Sequence, residues 1–96
     1  MPIYARKRDA NEASIIEALR ASGCFVIAET NVDIWVLPPS SNCWVPMEVK
    51  QKNGKLTDYQ KRLHAEAEDI YGYKIPIVRS IEDALEVAGL IPPAND

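Results

Sequence analysis

Three charged side chains stand in apolar runs where a sheet interior would not call for them. Asp33 lies in Val32-Asp33-Ile34-Trp35-Val36-Leu37, and Glu48 and Lys50 lie in Val45-Pro46-Met47-Glu48-Val49-Lys50. Side chains alternate faces along a strand, so Met47 and Val49 point one way while Glu48 and Lys50 point the other. If the two segments form an antiparallel hairpin turning at Ser40-Ser41, position 33 lies opposite position 48. Like charges directly opposite one another destabilise a sheet, so architecture alone explains the pair poorly. A divalent cation explains it better: hard cations such as Mg²⁺ take oxygen ligands, often one or two carboxylates plus water and substrate phosphate. Lys50 lies about 6.6 Å further along the same face by strand rise. From there its ammonium could orient an attacking water or stabilise charge developing on phosphorus. Glu12, in a first helical turn, could add a ligand. Gln60, in the first turn of a later helix, could hydrogen-bond the water or the lysine.

The elements that must position these groups follow from pattern. A first helix is expected from Asp9 or Asn11 to about Ala21, with a capping box from Asp9 to Glu12 and a stripe of Ile15, Ile16 and Leu19. Gly23 ends it, and Cys24 to Ala28 reads as a short buried strand. Pro38-Pro39-Ser40-Ser41-Asn42 is turn chemistry between the Asp33 and Glu48 strands, and Pro46, which cannot donate to a ladder, implies a bulge or an unpaired position. Thr57 with Gln60 caps a helix running to about Tyr71, with Leu63, Ala67 and Ile70 inward and Gly72 as its stop. Ile75 to Val78 is a fourth strand, and Ser80 caps a last helix through Val87. The order α-β-β-β-α-β-α contains one βαβ unit, whose strands should be parallel. The expected fold is α/β, a mixed four-stranded sheet flanked by helices on both faces, in one domain over residues 1–96 with a basic arm (1–8) and a tail (90–96).

Apolar content of 47% and charged content of 26% suit an ordinary soluble globular protein. No apolar run approaches the roughly 18 residues of a membrane span, and the basic start lacks the apolar segment of a secretory signal. A cytoplasmic protein is expected, with Cys24 and Cys43 as buried, reduced thiols. The net charge of -3 hides an asymmetry: residues 1–62 hold nine Lys/Arg against seven Asp/Glu, and residues 63–96 hold two against seven. With acidic residues neutralised by a cation, the front part becomes basic. Arg6, Lys7 and Arg8 precede the helix bearing Glu12, and Lys52 and Lys55 follow the strand bearing Lys50. Both groups are candidate phosphate contacts.

Asp33, then Glu48-Val49-Lys50 in this order of elements, resembles the PD-(D/E)XK nuclease superfamily. Lys7-Arg8-Asp9-Ala10-Asn11-Glu12, Glu48-Val49-Lys50, Lys55-Leu56-Thr57 through Gln60, and Val78-Arg79-Ser80-Ile81-Glu82-Asp83-Ala84-Leu85 resemble, more narrowly, small phage proteins of the VRR-NUC (virus-type replication-repair nuclease) type. The chain carries Thr30-Asn31-Val32 where such proteins usually have Gly-x-Pro before the aspartate. The resemblance implies a restriction-endonuclease-like core and a Mg²⁺-dependent DNA endonuclease, with Mn²⁺ able to substitute. It implies action on branched or junction DNA, as in Holliday-junction resolvases, by a homodimer in a bacterial or phage-infected cell. By matching position, Asp33, Glu48, the Val49 carbonyl and Glu12 would be metal ligands, Lys50 the catalytic lysine, and Gln60 the downstream glutamine.

Plainer readings exist for each residue. Glu12 and Gln60 each complete a capping box, Asp33 could be a turn residue at a strand start, and Glu48 with Lys50 could be a solvated strand face. His64 reads as a surface or half-buried histidine, Arg6-Lys7-Arg8 as a solvated tail, and Trp35 and Trp44 as sheet packing, with stacking on a base as the alternative. The competing function is a catalytically inactive DNA-binding or structural phage protein, which would be expected to lose at least one of Asp33, Glu48 and Lys50.

Overall fold

Helix α1 (Glu12–Ala21) buries Glu12, Ile15 and Leu19, positions that recur on one helical stripe. Its end is reversed by Gly23 at a φ of 94°, a left-handed conformation that costs glycine little. The structure, a computed structural model, describes residues 11–28 and 32–93. After α1 come strands β1 (Phe25–Ile27), β2 (Ile34–Leu37) and β3 (Val45–Val49), helix α2 (Asp58–Tyr71), strand β4 (Ile77–Val78) and helix α3 (Ile81–Val87). The sheet order is β1-β2-β3-β4, antiparallel through β3 and parallel between β3 and β4. The expected α/β class and mixed four-stranded sheet are therefore present.

Alternation sorts the sheet into two faces. Val26, Ile34, Val36, Met47, Val49 and Val78 enter one core cluster with Ile15 and Leu19 of α1 and Ala84 of α3. The opposite face carries Phe25, Ile27, Trp35, Pro46, Glu48 and Ile77, and α2 lies over its centre, reaching Glu48 through Gln60 and His64. Thr57 and Gln60 form the expected capping box, and Gly72 closes α2 in the left-handed conformation. Ser80 caps α3 by accepting from the Asp83 N–H.

Several expectations are corrected. No residue of α2 is fully buried, and Ile70, expected inward, is 65% exposed. Helix α2 stands off the sheet instead of sealing it. Asp33 sits in a bend immediately before β2, not within it. Pro46 causes no break in register, pairing with Trp35. The N–H groups of Glu48 and Lys50 donate to the carbonyls of Pro76, just before β4, and of Val78 within it, so the N of Pro46 faces the same side, before the start of that short strand, where no donor is needed. Cys24 is buried and burial pushes its thiol pKa up, but Cys43 is exposed; both are free. Asp9 lies outside the described residues. The N-cap is Asn11, whose side chain makes no cap bond. Its Nδ2 donates instead to the carbonyls of Lys50 (3.1 Å) and Arg79 (2.8 Å), tying the start of α1 to the ends of β3 and β4.

Candidate functional site

The β2–β3 register, continued by one residue, sets Asp33 opposite Glu48, as the hairpin arithmetic requires. The two do not meet as bare like charges. The Asp33 N–H donates to Glu48 Oε2 at 3.2 Å, and the Val49 N–H donates to Asp33 Oδ2 at 2.8 Å. Each carboxylate thus accepts from the backbone of the strand opposite. This is possible because the chain bends away at Asp33: Val49 still turns its N–H toward β2, and the aspartate side chain accepts it.

Glu48 is fully buried, a costly place for a carboxylate unless its oxygens are satisfied. Helix α2 supplies the remaining partners. Gln60 Nε2 donates to Glu48 Oε2 at 3.3 Å, and His64 Nε2 lies 2.9 Å from Glu48 Oε1. Gln60 therefore caps α2 through its Oε1 and reaches Glu48 through its Nε2, so its two sequence roles coexist. His64 was not expected in the site. The available signal was its spacing: four residues after Gln60, it shares that residue's helical face. Burial pushes the Glu48 carboxyl above its ordinary value of 4.5; the Asp33 charge adds to the rise, while the His64 hydrogen bond opposes it.

Lys50 follows β3 directly, half-buried, its N–H bonded to the Val78 carbonyl. Alternation places it on the Glu48 side. Among the described residues its ammonium has no ion-pair partner. Glu12 behaves differently. It is buried in the α1 stripe that faces the core cluster, and among the described residues no group of three or more His, Cys, Asp or Glu side chains is gathered for a metal ion. The structure brings together Asp33, Glu48, Gln60 and His64.

The Asp33–Glu48 pair still fits a weakly held Mg²⁺, which needs only one or two carboxylates. A carboxylate offers about four lone-pair sites, and three are used at Glu48.

Exposed Lys52 and Lys55 lie on the loop after β3. Arg79 holds this loop in shape: its Nη1 donates to the carbonyls of Gln51 (2.7 Å), Gly54 (2.8 Å) and Lys52 (3.3 Å). Arg79 belongs to a quoted sequence block, but nothing in its spacing announced this clasp. Arg6, Lys7 and Arg8 lie outside the described residues. Among those described, no helix is long and apolar enough to cross a membrane. Compared with protein-family models, curated proteins and solved structures, the chain matches none.

The Asp33–Glu48 pair makes opposite predictions for its two members. A carboxyl whose folded-state pKa is raised contributes stability below its unfolded value that is lost as pH rises through the folded one. In chelator, wild type should therefore lose stability above about pH 4.5 relative to Glu48→Gln, whose amide can still accept from Asp33 and donate to His64. Near neutrality Glu48→Gln should be more stable by on the order of 1 kcal/mol, or roughly 4–8 °C in Tm. Asp33→Ala should instead lose about 1–3 kcal/mol, because the buried Val49 N–H is orphaned. Thermal melts across pH test both; parallel curves for wild type and Glu48→Gln would refute the first.

Proposed function

We propose that this chain is a Mg²⁺-dependent DNA endonuclease with a restriction-endonuclease-like core, acting on branched or junction DNA. The observation that carries the reading is the Asp33–Glu48 pair, locked across two strands with Lys50 just beyond. Asp33, Glu48 and the Val49 carbonyl would hold the cation, which when bound supplies Lewis acidity and acidifies a coordinated water. Glu12, buried in the first turn of α1, would add a further ligand.

The residues divide the remaining work. Gln60 and His64 fix the rotamer of Glu48 from α2, so its aim does not depend on the substrate. Lys50 stabilises charge growing on the phosphoryl oxygens or orients the water. The exposed Lys52 and Lys55 contact phosphates, which adds affinity without base specificity. The preference for branched DNA comes from the sequence resemblance, as does the homodimer. The dimer reading gains support from Phe25 and Ile27, which expose 59% and 41% of their surface on edge strand β1.

Labelled duplex, flap, single-strand and four-way-junction DNA, with and without Mg²⁺ or Mn²⁺, tests the activity. Cleavage should require the metal and fall at least about 100-fold in Lys50→Ala, Asp33→Ala and Glu48→Ala, as loss of one charge-stabilising group does. Undiminished cleavage by Lys50→Ala would sink the assignment.

Lys52 and Lys55 give a separate test. Replacing both with alanine should weaken binding on every sequence and flatten the log-affinity against log-salt slope by roughly one to two units. An unchanged slope would remove this loop from the DNA face.

For the assembly, light scattering at tens of micromolar should give twice the 10.7 kDa chain mass, and Phe25→Glu should return the single mass. A single mass for wild type, with and without DNA, would exclude the dimer.

A further inference from the structure

Because α2 stands off the sheet, a groove of about 400 Å³ opens between them. Trp35, Trp44, Tyr71 and Tyr73 line it, with Pro46 below and Leu63 above. It continues the carboxylate site along the same face. Trp35 lies two residues beyond Asp33 on β2, Pro46 two before Glu48 on β3, and each step is about 6.6 Å by strand rise. On α2, Leu63 adjoins His64, which touches Glu48. The cleft is therefore polar at one end and aromatic at the other.

We propose that this groove receives an unpaired nucleobase of a DNA strand whose phosphodiester lies at the Asp33–Glu48 end; the inference rests on the nucleic-acid reading of that site. A nucleotide has the same division, an anionic phosphate joined to a planar π-face, and one nucleotide can reach from one end of the cleft to the other. Aromatic platforms accept any base because every base has such a face. The volume falls within the roughly 300–1,000 Å³ of small-ligand sites. A second copy of the chain is the weaker occupant. Nine residues line the groove, against roughly 20–30 a side in a standard protein interface. A base in this groove is unstacked from its neighbours, so the groove selects strands that are single or open at a branch.

Both tryptophans of the chain line the groove, so intrinsic fluorescence reports its occupancy directly. Lys50→Ala protein in Mg²⁺ should be titrated with a short single-stranded DNA oligonucleotide and with an abasic oligonucleotide of equal length and charge. The oligonucleotide with bases should quench saturably and bind about 5- to 150-fold more tightly, the range given by base–aromatic stacking. Adding Tyr71→Ala, at a position 76% exposed and so tolerant of change, should lower affinity for the base-containing strand and leave the abasic one unaltered. Equal affinity for both strands, or no quenching by either, overturns the proposal. So does a concentration-dependent fluorescence change without DNA that Tyr71→Ala removes, which gives the groove to a second copy. Base-dependent quenching with no metal-dependent cleavage by wild type leaves the groove standing and removes the hydrolytic reading. Cleavage with base-independent binding does the reverse.

Discussion

Glu48 is a carboxylate with no exposed surface, and most of the local structure exists to make that tolerable. Its acceptors are met from three directions: the Asp33 backbone on the neighbouring strand, the Gln60 amide and the His64 ring on α2. Asp33 returns the bond to the backbone beside Glu48. The bend before β2, the N-terminal turn of α2 and the end of β3 are thereby held in one network. A neutral apolar residue at 48 would release all three segments from that requirement. The carboxylate retained at this position is the one that the proposed metal site would use.

Helix α2 shows how this network substitutes for a core. It has a capping box at one end and a left-handed glycine at the other, so its limits are set locally. Yet it buries no side chain fully, and its first two turns are anchored to the sheet by polar bonds to one carboxylate. Further along, it passes over aromatic rings and leaves space beneath. The open groove and the buried charge are two results of the same arrangement, in which polar contacts at one end relieve the helix of sealing the other.

Much of the fold was legible because its signals are local. The caps at Thr57 and Ser80, the glycine stops and the prolines at 38 and 39 each act over a few residues, and element order followed from them. The opposition of positions 33 and 48 was legible as well, since a two-residue period leaves little freedom once the turn is placed. What could not be read depended on distance in the chain. His64 on Glu48, Asn11 between Lys50 and Arg79, and Arg79 over the loop at 51–54 are contacts between residues 16 to 68 positions apart. Ile70 misled because helical period gives direction, and direction does not guarantee that the sheet comes close enough to cover it.

The Arg79 clasp has a consequence for motion. The loop at 51–54 has few means of holding itself: a polar run with one backbone bond, from the Gly54 N–H to the Gln51 carbonyl. Its carbonyls are held from outside, by a guanidinium whose own backbone N–H is fixed by Asp83 in α3. Freeing the loop's carbonyls therefore requires Arg79 to move, and Arg79 is tied to the first turn of α3, remote from the loop in sequence. The order of the basic loop is a property borrowed from the C-terminal end of the fold.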